Sequence, residues 1–105
     1  MEVKRVVVTG IGAITPIGNS KEEYTAGLAN GVSGANTITR FDAEKFRTKF
    51  ACEVKNFTPT DHFDRKEARK MDRGTQFAMV TSEEAIQDSK LDLDAIDKDR
   101  VGVIW

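Results

Sequence analysis

The apolar positions change period along the chain, and those changes predict its elements. Val3–Thr9 is short and β-branched, with Val6, Val7 and Val8 in succession and Gly10 ending the run. That pattern predicts a buried strand. Turn formers follow at Gly10, Gly12, Pro16, Gly18 and Asn19, so the strand leads into a loop. Ser20 and Glu23 have the spacing of a capping box, in which each side chain accepts from the other residue's backbone N–H. The helix it opens carries Tyr24, Gly27, Leu28 and Gly31 at i, i+3, i+4 and i+7, with Asn30-Gly31 as its stop. Residues 32–48 have no clean period, and Phe41 and Phe46 are expected there as buried anchors. Phe50–Phe57 predicts a short strand with Phe50, Cys52 and Val54 on one side. Pro59 and Thr60 open a helical region that runs to about Lys90. Asp92–Asp99 is an acidic turn segment, and Val101–Trp105 predicts a second buried strand.

The last helix, from about Asp72 to Lys90, is informative about packing. At about 100° per residue, Gly74, Ala78, Thr81, Ser82, Ala85 and Ser89 cluster on one side, flanked by Phe77, Met79 and Ile86. Gln76, Glu83, Gln87 and Lys90 lie opposite. A stripe of small residues lets a neighbour approach closely, as in a layered α/β protein. The apolar Val-Gly-Val-Ile-Trp segment ends without a polar tail, and a carboxylate beside a buried strand is costly to desolvate unpaired. The expectation is therefore that residues 1–105 are the N-terminal portion of a domain whose fold continues further.

Composition narrows the class. The 105 residues suit one domain, 39% of them are hydrophobic, and Leu, Ile, Val and Phe exceed the roughly 20% typical of disordered chains. The apolar runs, Val6–Val8 and Val103–Trp105 among them, are far short of the about 20 residues of a membrane span. They also fall short of a signal-peptide core. Cys52 has no second cysteine to pair with, and with His62 as the one histidine it cannot complete a four-ligand zinc site. A soluble cytoplasmic protein without metal or cofactor is expected. Charge is balanced overall at 16 cations against 17 anions, but not locally. Residues 40–73 hold ten Lys/Arg against seven Asp/Glu, and residues 83–99 hold seven acids against two lysines.

Three motifs bear on chemistry. Gly10-Ile11-Gly12-Ala13-Ile14-Thr15 begins like a dinucleotide fingerprint, but Thr15 replaces the third glycine and no acid closes a strand about 20 residues on. A structural turn is the better reading. Cys52 sits mid-strand among alternating apolar residues, without the base or positive charge that activates a thiolate, so a buried structural cysteine is expected. The third motif is Asp64-Arg-Lys-Glu-Ala-Arg-Lys-Met-Asp-Arg73. On a helix Arg65, Lys66, Arg69, Lys70 and Arg73 fall within an arc of roughly 140°, with Ala68 and Met71 outside it. Their mutual repulsion is relieved either by solvent on an open face or by an anionic partner. An acidic protein surface, a phosphate group and nucleic acid all fit, although no aromatic residues interleave to make a single-strand stacking platform.

Taken together these segments resemble a known family. Arg5-Val-Val-Val-Thr-Gly-Ile-Gly-Ala-Ile-Thr-Pro-Ile-Gly18 is similar to the opening strand and loop of the elongating, type II β-ketoacyl-[acyl-carrier-protein] synthases. The likeness continues through Gly31–Gly34, Ile38–Asp42, Phe50-Ala51 and Val54–Phe57. It is most specific at Asp64–Asp72 and closes at Arg100–Ile104. It spans essentially the whole chain and corresponds to roughly the first quarter of such an enzyme.

The resemblance implies a thiolase-like α/β fold, a layered α-β-α-β-α sandwich of which this chain is the N-terminal part, in a homodimer. It implies decarboxylative condensation of malonyl-acyl carrier protein with an enzyme-bound acyl chain. The acyl-accepting cysteine and two histidines of that family have no counterparts here, so neither Cys52 nor His62 inherits a catalytic role. The basic helix does inherit one. Lys66, Arg69 and Lys70, with Arg65 as helper, match the cations that dock the acidic acyl carrier protein, loaded with acyl or malonyl groups. Neither nucleic acid nor membrane is an expected partner. The alternatives are an independent binding module for an acidic protein or phosphate group, or the equivalent subunit of an aromatic polyketide synthase.

Overall fold

The computed structural model describes residues 1–104. Three helices dominate: α1 (Lys21–Ala29), α2 (Arg65–Lys70) and α3 (Arg73–Ser89). A small antiparallel pair, β1 (Ala35–Thr37) and β2 (Phe50–Cys52), aligns Ala35 with Cys52, Asn36 with Ala51 and Thr37 with Phe50. Single 3-10 turns occupy Pro59–Asp61 and Lys98–Arg100.

The helix ends follow the sequence signals closely. The Ser20 hydroxyl accepts from the Glu23 N–H at 3.2 Å, capping α1. The Glu23 carboxylate reaches back one residue further than a capping box requires, to the Asn19 N–H at 2.8 Å. At the other end Gly31 adopts φ 65°. Its N–H bonds Leu28 O while the Val32 N–H bonds Gly27 O, the paired closure of a Schellman turn. Asp72 caps α3 by accepting from the Thr75 N–H at 2.7 Å, and Lys90 ends it in the left-handed conformation.

The small-residue stripe of α3 receives the glycine loop. A Cβ on Gly12 would collide with the Thr81 carbonyl oxygen, and one on Gly10 with that of Ala85. Ile11 N–H donates to Asp88 at 3.0 Å and Ala13 N–H to Glu84 at 2.8 Å. Glu84 also accepts the Lys21 N–H at 2.7 Å, and Lys21 Nζ pairs with Asp88. Two carboxylates one turn apart on α3 thus hold the loop and the start of α1. The loop's N–H groups at Ile11 and Ala13 are occupied by protein, as a structural turn requires.

Several expectations fail on burial. Val3–Thr9 makes no strand pairing, and Val3, Val6, Val7 and Val8 are all exposed. Residues 101–104 likewise form no strand and are exposed, while Trp105 lies outside the described residues. A strand is stabilised by neighbours that satisfy its ladder and cover its faces, and these two segments have none. Phe41 and Phe46 are exposed rather than buried, and pack edge-on against each other at 5.5 Å. Cys52 is also exposed, because the two-stranded pair has nothing stacked on it. The strand expected over Phe50–Phe57 is confined to its first three residues, and the helical region after Pro59 is broken at 62–64 and 71–72.

Among the described hydrophobic residues only Ala43 is buried, and it keeps 8% exposure. The radius of gyration is 17.6 Å, against about 13 Å for a compact domain of this length and about 30 Å for an unfolded one. The described residues have ordered local structure and close helix–loop packing without a closed hydrophobic core.

Candidate functional site

The basic helix is assembled on an aromatic cluster. Phe57 stacks on His62 at 5.3 Å and meets Phe77 of α3 edge-on at 4.9 Å. Pro59 starts the 3-10 turn, and its carbonyl accepts the Phe63 N–H at 2.9 Å. The chain then turns at Asp64 into α2, whose Ala68 N–H bonds Asp64 O at 2.9 Å. Ala68 and the following Met71 are half-buried, as the helical arc requires, while Arg65, Lys66, Arg69 and Lys70 are exposed.

Arg73 departs from the expected arc of five cations. Its guanidinium lies over Phe77 at 5.0 Å and near Phe57 at 5.7 Å, and donates to Val54 O at 3.4 Å. Burial, assisted by repulsion from Arg40, pushes its pKa down. The helix break at Met71-Asp72 accounts for this: Arg73 belongs to α3 and turns inward, where its cation is held over aromatic faces.

Four cations remain as a patch. Among the described residues the ion pairs are Lys21–Asp88 and Lys98–Asp94, so none of the four is neutralised by a carboxylate contact. Asp72, next along the chain, is engaged by Thr75, whose hydrogen bonds lower the Asp72 pKa. Arg69 and Lys70 occupy the last turn of α2, where cations complement the helix dipole. The patch can therefore bind anions electrostatically. It holds no acid–base pair or nucleophile.

Sequence reasoning missed the residue beneath the patch. Gln76, expected on the polar side of α3, is buried, and its Nε2 donates to Ala68 O at 3.0 Å. The helical period carried no signal for it, because Gln76 is drawn inward by the break after Lys70, which leaves the last α2 carbonyls in need of a donor.

Elsewhere, a cleft of about 440 Å³ is lined by Thr15, Pro16, Asn19, Lys55, Asn56 and His62, among others. Lys55 Nζ donates to the carbonyls of Pro16, Gly34 and Glu53, and Asn19 Nδ2 to Lys55 O. These groups knit the loop to the β pair. Among the described residues no group of three or more His, Cys, Asp or Glu is placed to hold a metal, and no helix is long and apolar enough to cross a membrane.

Comparison with known proteins bears on the whole chain. Residues 3–105 match the family model for the β-ketoacyl synthase N-terminal domain. A 3-oxoacyl-[acyl-carrier-protein] synthase 2 of Synechocystis is 50% identical over 104 residues, covering 99% of this chain and 25% of that protein. Its namesake from Staphylococcus aureus is 48% identical over 100 residues, covering 95% of this chain and 24% of that one. Among solved structures, the ishigamide ketosynthase/chain length factor superposes with a TM-score of 0.71 at 44% identity, covering 84% of this chain and 22% of that one. The chain spans about a quarter of the length of the curated relatives it matches.

Proposed function

Since this chain belongs to the β-ketoacyl synthase family and is a partial α/β segment of its thiolase-like fold, we propose that it is the N-terminal part of an acyltransferase that elongates fatty acids on acyl carrier protein. In that reaction an enzyme cysteine takes an acyl chain from its carrier thioester. Malonyl-carrier protein loses CO2, and the resulting enolate attacks the acyl-enzyme carbonyl. The new carbon–carbon bond gives a β-ketoacyl-carrier product two carbons longer, and the cysteine thiolate departs. That cysteine and its two histidines would come from outside residues 1–105, which contribute scaffold and docking surface. The same reading makes the enzyme a cytoplasmic homodimer, with the exposed valines at 3–8 and 101–103 covered by the rest of its fold.

The role we assign to Arg65, Lys66, Arg69 and Lys70 is to dock the acidic carrier. The observation that carries it is four exposed cations on one short helix with no carboxylate contact. Complementary charge speeds encounter and fixes orientation at modest affinity, which suits a carrier that visits many enzymes. An independent binding module is disfavoured by the absence of a closed core among the described residues. Polyketide assembly is the second reading, favoured by the 44% identity to the ishigamide ketosynthase/chain length factor. The 50% and 48% identities to 3-oxoacyl synthases support fatty-acid elongation instead. Purified full-length enzyme should convert acyl- and malonyl-carrier protein to the β-ketoacyl product with equimolar CO2. Failure to form that product would refute the proposal.

A further inference from the structure

The docking reading makes no use of Gln76, which the structure singles out. It is the one buried polar side chain among the described residues, at 6% exposure. Its Nε2 donates at 3.0 Å to the carbonyl oxygen of Ala68. The last carbonyls of a helix lack intrahelical partners, and Ala68 O is among them because Met71 leaves the helix at φ −107°, ψ 138°. A six-residue helix has little stability of its own, and Asp64 supplies no side-chain cap at the other end. The geometry of α2 therefore depends on what α3 provides. Arg69 and Lys70 occupy the same final turn.

We infer that Gln76 is a positioning residue for the docking helix: its amide bond to Ala68 O fixes the last turn of α2 on α3 and so sets where the Arg69 and Lys70 charges are presented. The inference rests on the carrier-docking reading. The role needs a neutral amide donor, since an ionised carboxylate at the same position only accepts and would face the Ala68 oxygen without a proton to share. Leucine fills similar volume with no donor at all.

The test uses the full-length enzyme, with Gln76→Glu and Gln76→Leu assayed beside the Lys66→Glu/Arg69→Glu/Lys70→Glu variant. The substrates are carrier-bound acyl groups and the corresponding short pantetheine thioesters. For both Gln76 variants we expect KM for the carrier-bound substrate to rise about five- to tenfold, the scale of one lost buried hydrogen bond. Pantetheine kinetics and kcat should stay within about twofold. Amides of residues 66–71 should exchange faster with deuterium while α1 is unchanged. Equal losses on both substrates, or an unchanged carrier KM, would overturn the inference. If the charge-reversed variant is selectively defective and the Gln76 variants are not, only the inference fails. If the charge-reversed variant is not defective, the docking reading fails and takes the inference with it. The wild type gives a check that needs no variant: the α2 amides should open together with residues 75–78 as denaturant rises, and opening well before them would contradict the coupling.

Discussion

Glu84 holds Ala13: one oxygen of its carboxylate accepts the Ala13 N–H at 2.8 Å, and the other accepts the Lys21 N–H at 2.7 Å. The glycine loop is thereby drawn onto α3 so closely that Gly12 has no room for a methyl group beside the Thr81 carbonyl. Gly12→Ala is expected to destabilise the full-length protein by about 1–3 kcal/mol, the usual cost of overpacking. Thermal or denaturant unfolding measures it, and an unchanged midpoint would mean the contact is not that tight.

The neighbouring Lys21–Asp88 pair gives the same loop a pH dependence. The Lys21 side-chain bond, then the Ile11 N–H, hold the Asp88 carboxyl below its usual range, and Asp88 raises the Lys21 pKa. A depressed acid contributes stability that is complete above its unfolded pKa, about 3.9, and is lost as pH falls through the folded value. A raised lysine contributes below about 10.4 and loses its contribution as pH rises beyond that. Both side chains are about one-third exposed, so the effect is small. Asp88→Asn should lower the unfolding midpoint at pH 7, and its difference from wild type should shrink steadily as pH falls below about 3.9. A difference that does not shrink on acidification would assign it to something other than charge.

Cys52 is exposed and lies opposite Ala35 in the β pair. Cys52→Ala in the full-length enzyme should keep condensation within about twofold, as for an ordinary surface change. Loss of acyl-enzyme formation with the fold intact would make this thiol the acyl acceptor after all.

A monomer of residues 1–105 leaves Val3, Val6–Val8, Val103 and Ile104 open to water. Such a chain should aggregate or unfold without cooperativity. A sharp thermal transition with dispersed amide NMR signals would show that helix–loop packing alone suffices.

The limits of α1 and α3 were legible in the sequence because their ends are local. Ser20 and Asn30-Gly31 cap and stop α1 through bonds within a few residues, as expected. Helix α3 fills the expected span from about Asp72 to Lys90, where the structure adds the Asp72 cap and the left-handed Lys90. The α3 stripe was legible too, because small side chains announce a close neighbour, though not that the neighbour is the glycine loop. The strands were not. Val3–Thr9 carries β propensity without a partner, whereas the polar Ala35-Asn36-Thr37 becomes a strand because Phe50–Cys52 pairs with it. Four of the five cations kept their expected exposure. Arg73 did not, since the break at Met71 rotates it onto Phe57 and Phe77, and a single helical phase across residues 65–73 could not anticipate that break.

The most direct test of carrier docking is the substrate dependence of Lys66→Glu/Arg69→Glu/Lys70→Glu in the full-length enzyme. The kcat/KM for carrier-bound substrate should fall by roughly one to two orders of magnitude, while short pantetheine thioesters, which bring no acidic surface, should be affected far less. Rising salt should reproduce the defect in the wild type, since charges are screened beyond about 10 Å at 0.1 M. The melting temperature should barely move, because these side chains make no ion pair to lose. Equal loss on carrier-bound and carrier-free substrates would place the three cations in the fold or the chemistry and contradict the docking role.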